Sequence, residues 1–174
     1  EIDDKYSMSY TLRQIGENYH ENGDDNNALD FYTRSYTIAE EIGSKIQMYT
    51  ASDLIGDFYF SKKEYKYALQ YYERSLKINK EMGDIYEIAF SLNSIGKVYS
   101  KIGNLVKALD YYSRGLTNLK NACEKDDLGI SYEVCDKYDL AINNRSLGVV
   151  HYYIGNYEIA SKYFDNALKD FEAI

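Results

Sequence analysis

The chain is expected to be all-α, built as a stack of four antiparallel helix pairs. Two observations predict this. Glycines stand at Gly16, Gly56, Gly96 and Gly148, and each is followed twelve residues later by alanine (Ala28, Ala68, Ala108, Ala160) and four further on by an aromatic (Tyr32, Tyr72, Tyr112, Phe164). Between these columns apolar residues recur at helical spacing, as in Tyr65, Ala68, Leu69, Tyr72 and Leu76, an i, i+3, i+4, i+7 face.

Each copy supplies the same parts in the same order. A first helix carries the glycine, with Ile15, Ile55, Ile95 or Leu147 before it and Tyr19, Tyr59, Tyr99 or His151 three residues after it. A turn follows: "NGDD", "SKKE", "IGNL" and "IGNY", with the Gly and Asn such turns favour. A second helix then brings the alanine, the aromatic and a small residue (Ser35, Ser75, Gly115, Ala167). Small residues at the glycine and alanine columns let the two helices approach closely, and the aromatic is expected to fill the wedge between successive pairs. One pair cannot bury such a face alone, so the pairs must stack.

The copies cover residues 4–43, 44–83, 84–123 and 136–174, with "EKDDLGISYEVC" (124–135) as an insertion before the fourth, and 1–174 is expected to be a single domain. The insertion is read as a surface excursion between repeats, which loops accept at low cost, with a contact element as the second reading. "EID" at 1–3 aligns with "EIG" and "EMG" at the ends of later second helices. The chain is therefore expected to be a piece of a longer array.

These columns resemble the tetratricopeptide repeat, whose pattern is Leu-Gly, Tyr, then Ala and an aromatic. The resemblance covers the whole chain and implies a right-handed superhelix, an α-solenoid of helix-turn-helix units. The period departs from the usual 34, since the first three glycines lie 40 apart; the family's Trp column reads Leu12, Ser52, Leu92 and Asn144, and its proline is absent. The longer period is similar to the forty-residue subclass, found in spindle-orientation adaptors, quorum-sensing peptide receptors and bacterial sensor kinases.

Composition bounds the function. A net charge of −8 and a pI near 4.8 argue against a nucleic-acid partner. No apolar run reaches membrane-spanning length, about 18 residues, and no secretory signal is visible. Two cysteines, Cys123 and Cys135, are too few for a disulfide framework. His20 and His151 lie in different repeats without partners at metal-ligand spacing; His151 takes the place of a packing tyrosine. No Gly-rich phosphate loop appears, and the "NRS" sequon at 144–146 falls inside a helix. The expectation is a cytoplasmic protein, not an enzyme, with no metal and no cofactor.

The resemblance implies that the first helices line a concave groove. It places Tyr10, Arg13, Gln14, Glu17, His20 and Glu21 there in copy one, and Thr50, Asp53, Asp57 and Phe60 in copy two. Copy three gives Phe90, Asn93, Lys97, Ser100 and Lys101; copy four gives Ile142, Arg145, Val149 and Tyr152. Aromatics interleaved with polar groups suit a protein or peptide ligand. The Lys/Asn clamp that grips C-terminal carboxylates in some members is absent, with Asn93 one position away. Acidic residues prevail in the first two copies and basic ones in the last two, so a ligand with basic and acidic segments in that order is expected. The alternative is a peptide-sensing or regulatory domain of a larger bacterial signalling protein. The apolar residues of the last helix are expected to let chains self-associate.

Overall fold

A computed structural model describes residues 2–124 and 137–174. The insertion at 124–135 beyond its first residue, and with it Cys135, lies outside the described residues, as does the side chain of Cys123. The chain divides into two compact units, residues 1–83 and 84–174. In the first unit α1 (Ile2–Glu21) pairs with α2 (Asp25–Glu41), and α3 (Lys45–Ser61) pairs with α4 (Tyr65–Met82). In the second, α5 (Ile85–Lys101) pairs with α6 (Leu105–Glu124), and α7 (Lys137–Ile154) pairs with α8 (Tyr157–Glu172). Odd-numbered helices are called A helices and even-numbered ones B helices. Residues 2 and 3, which align with the ends of α2 and α4, instead form the first turn of α1. Where Gly43 and Gly83 turn the chain left-handed, position 3 holds an aspartate, which continues the helix.

The glycine column is a contact surface. A Cβ built on Gly56 would lie 2.6 Å from Cε1 of Tyr72, and one on Gly16 would lie 2.6 Å from the same atom of Tyr32. Gly96 and Gly148 stand in the same relation to Tyr112 and Phe164, at 2.9 and 2.7 Å. Each ring thus lies against the A helix of its own pair. It also reaches the next pair: Tyr32 shares a buried cluster with Ala28 and Ile55, and Tyr112 one with Leu116, Leu147 and Val150. The expectation that this column fills the wedge between pairs holds for one side of the ring only. Its other side seals the pair.

A second aromatic column lies beside it. Tyr19 stacks on Phe31, Tyr59 on Tyr71, Tyr99 on Tyr111 and His151 on Tyr163, with centroids 5.3, 5.7, 5.4 and 5.5 Å apart and planes within 18°. His151 is therefore a packing ring in the place of a tyrosine.

The turns within pairs share one geometry. The residue seven after the column glycine has positive φ: Gly23 (79°), Gly103 (80°), Gly155 (90°) and, in the second pair, Lys63 (61°). Lysine has a Cβ that crowds the following carbonyl in this left-handed region. Asp24, Asp84 and Asn104 accept backbone N–H bonds from the residue three ahead, capping α2, α5 and α6.

Two outcomes follow from this packing. Gly56→Ala should cost about 1–3 kcal/mol, because the displaced Tyr72 ring has no room in a closed core, whereas exposed Lys66→Ala should change stability by less than about 0.5 kcal/mol; denaturant titration measures both. Lys63→Gly should stabilise the chain by about 0.5–1 kcal/mol, the relief of the left-handed strain net of the added freedom of the unfolded chain. A loss on this substitution would contradict the turn geometry.

Candidate functional site

The tyrosine column carries the site from below. In unit 1, α1 and α3 lie side by side, and the hydroxyls of Tyr32 and Tyr72 rise from the B helices toward their charged side chains. Tyr72 Oη donates to Asp57 Oδ1 at 2.6 Å. Burial raises its pKa far above the ordinary tyrosine value, and the nearby Asp57 and Asp53 carboxylates raise it further. Tyr32 is pushed up to about 12, first by burial, then by Glu17 and Asp57, with Arg13 opposing. The charges of Arg13 and Glu17 of α1 and of Asp57 of α3 thus all act on one phenol.

Most of the expected residues of unit 1 already have partners. Arg13 lies 4.9 Å above the Tyr10 ring and forms an ion pair with Glu17. Gln14 Nε2 donates to the other Glu17 oxygen at 2.9 Å. Thr50 Oγ1 donates to the Ile46 carbonyl of its own helix at 2.8 Å, and the Phe60 ring packs 5.7 Å from that of Tyr65. Asp53 is buried, while Tyr10, Gln14, Glu21 and Asp57 are exposed. His20 belongs to a turn: its Nδ1 is 2.9 Å from Asp25 Oδ1, and Lys62 Nζ donates to Asp25 Oδ2 at 2.6 Å. The Asp25 carboxyl is held below its ordinary value by the bonds from Lys62 and His20.

Unit 2 is different in sign. The Tyr112 hydroxyl, raised to about 12 by burial, is drawn back down by a hydrogen bond with Ser146 and by the charge of Arg145. Lys97, Lys101 and Arg145 are exposed on α5 and α7, as are Phe90, Val149 and Tyr152; Ser100 and Ile142 are half-buried. Tyr152 meets Tyr153 and Tyr157 edge to face at 5.9 and 5.5 Å. Asn93 pairs through its carboxamide with fully buried Asn143, joining α5 to α7. Gly115 of α6 lies under this pair; a Cβ there would come within 2.9 Å of Asn143 Nδ2 and collide with Asn93 Oδ1. Asn93 thus serves the fold, and the small-residue column reaches glycine where the asparagines need the space. Asn144, the sequon residue, is buried and donates to Asp170 of α8 at 3.0 Å.

Among the described residues, no group of three or more His, Cys, Asp or Glu is arranged to hold a metal ion, and no helix is long and apolar enough to cross a membrane. The tyrosine hydroxyls meet the polar and charged side chains of these faces, a relation that sequence reasoning missed. The available signal was the choice of Tyr over Phe at a core column in three of four copies, which implies a use for the hydroxyl.

A family model described as "Tetratricopeptide repeat" matches residues 47–121. No curated protein matches the chain. Among solved structures, BtubC from P. vanneervenii superposes with a TM-score of 0.82 at 19% identity, over 95% of this chain and 63% of its own. The apo form of RapI gives 0.83 at 19%, over 98% and 44%. A signal-transduction ATPase with a tetratricopeptide repeat sensor, PH0952 from Pyrococcus horikoshii, gives 0.80 at 20%, over 96% and 24%. The chain thus spans less than two thirds of each, and at these identities the likeness is one of fold.

The raised tyrosines give an alkaline signature. Tyr32 and Tyr112 ionise near 12 when folded, against 10.0 for an unperturbed tyrosine. Their neutral form stabilises the fold in full below pH 10 and ceases to as pH rises through 12. Thermal melts followed by circular dichroism should show Tm falling across that window, and falling less in the Tyr32→Phe, Tyr112→Phe double variant.

Proposed function

Because residues 47–121 are tetratricopeptide repeats and the whole chain takes that fold, we propose that the protein is a non-catalytic scaffold whose A helices hold protein or peptide segments. Repeats of this kind bind protein partners. The observation that carries the reading is the change of sign between the two units at one column of tyrosine hydroxyls. Tyr32 and Tyr72 look toward Glu17, Asp53 and Asp57, whereas Tyr112 looks toward Ser146 and Arg145. Fields of this kind set the orientation and rate of encounter more than they add affinity.

In this reading the face of α1 and α3 takes a basic segment, and that of α5 and α7 takes an acidic one. In the first unit Phe60 offers a ring to apolar anchors, together with Tyr10, Gln14 and Thr50; in the second Phe90 does so, together with Ile142, Val149 and Tyr152. The net charge of −8 disfavours nucleic acid, and a cytoplasmic location and self-association through α8 belong to the same proposal. A second reading, the peptide-sensing domain of a larger signalling protein, draws on the sensor repeats named in PH0952, of which this chain spans 24%.

The test is selection from a random-peptide display library on the whole chain. Asp53 and Asp57 sit beside the Tyr72 hydroxyl, so the charge change belongs on exposed Lys97 and Lys101. Acidic peptides carrying an aromatic or aliphatic residue should be enriched, and Lys97→Glu with Lys101→Glu should weaken them at least about tenfold at low salt. Enrichment indifferent to both the variant and the salt would overturn the charged-face reading.

A further inference from the structure

An arginine stands eighteen residues after the column glycine in three of the four copies: Arg34, Arg74 and Arg114. Each lies over the ring three residues before it, its guanidinium carbon 5.1 Å from the Phe31 centroid, 5.7 Å from that of Tyr71 and 5.2 Å from that of Tyr111. Two of the three also meet a carboxylate one turn earlier. Arg34 pairs with Asp30 at 3.4 Å, and Arg114 pairs with Asp110 at 3.1 Å. In the second pair that position is Gln70. Among the described residues, no ion pair joins Arg74 to a carboxylate.

Arg74 instead lines a cleft of about 520 Å³ between α2 and α4, bounded wholly by residues of unit 1 between 36 and 81. Its guanidinium carbon is 5.0 Å from the Tyr36 ring of α2, so rings of two helices hold it in place. Contact with a ring leaves the planar fork of N–H donors for a carboxylate. Half-buried Met48 of α3 and buried Ile78 of α4 give the cleft its apolar lining. The cleft's own acids are occupied or offset. Glu40 accepts from the Tyr36 hydroxyl at 3.3 Å, and Glu81 pairs with Lys45 at 3.2 Å. Glu73 stands one turn before Lys77, the spacing at which opposite charges on a helix balance.

We propose that this cleft is a second binding site, for a peptide segment carrying one carboxylate beside an aliphatic residue. The carboxylate takes the place next to Arg74 that Asp30 and Asp110 fill beside Arg34 and Arg114. The aliphatic side chain meets Met48 and Ile78. The glutamates on the walls repel a run of acids, so the site selects a single carboxylate with a neutral or basic residue next to it. It lies between the two B helices of unit 1, beyond the A-helix faces proposed above, and its failure leaves those faces untouched.

Methyl NMR of the whole chain, titrated with the capped peptide acetyl-Ala-Leu-Glu-Leu-Lys-amide, tests it. The Met48 and Ile78 methyl signals should shift saturably below about 5 mM peptide. Replacing the peptide's glutamate by glutamine should weaken binding at least about fivefold, and so should Arg74→Gln. Gln70→Asp gives Arg74 the internal partner that its counterparts have, and should weaken binding at least about threefold. Gln70 and Arg74 are both exposed, and unchanged circular dichroism will confirm that the variants fold. Lys97→Glu with Lys101→Glu, which alters the A-helix face of unit 2, should leave these shifts unchanged. No saturable shift at Met48 or Ile78 overturns the proposal. It also falls if the glutamine peptide binds equally well, if Gln70→Asp or Arg74→Gln binds as wild type does, or if the Lys97 and Lys101 variant loses the shifts.

Discussion

Everything in this chain depends on an aromatic ring lying against a glycine. Tyr72 on Gly56 sets how near α3 and α4 can come, and the same contact recurs in the other three pairs. A methyl group at the glycine would push the ring away. Because the ring also reaches Ile55 or Leu147 of the following pair in each unit, one contact sets both the spacing within a pair and the seat for the next. Such an interior is filled like a crystal, not a liquid, which is why the columns persist while the intervening residues vary.

The same contact determines what the A helices present to solvent. A tyrosine pressed on the A helix at the glycine has its hydroxyl carried past the backbone to the far side, where phenylalanine would carry nothing. The hydroxyl then needs a partner: Asp57 in one unit, Ser146 in the other. The surface chemistry of the A helices is thereby tied to the core column, and exchanging an acid for a base beside it changes what lies above the phenol without disturbing the ring.

Much of the fold was legible because it is written in spacing. The glycine, alanine and aromatic columns, the turns and the eight helices of the described residues all follow from periodicity and turn chemistry. What escaped was written in geometry. The stacks of Tyr19 on Phe31 and of His151 on Tyr163 join residues twelve apart on different helices, and no helical period links them. The Asn93–Asn143 pair joins residues fifty apart through an insertion that breaks the register. Lys63 hid the strained turn behind a residue that does not announce it. At the site, residue types showed where the charges stood, but not that Arg13, Glu17 and Gln14 are bound to one another or that His20 serves the turn at Asp25.

The lock made by Asn93, Gly115 and Asn143 bears on how the array can be rearranged in evolution. Repeats of forty residues with interchangeable seams invite duplication and loss by unequal recombination. The third and fourth pairs resist it: Asn143 brings a buried amide that finds its mate on α5 and its space above Gly115 on α6. Moved beside the second pair, it would meet Ser75 where the glycine should be, and the serine side chain would occupy the space that the amides need. The order of these two pairs is thus heritable as a unit, an address written in three side chains.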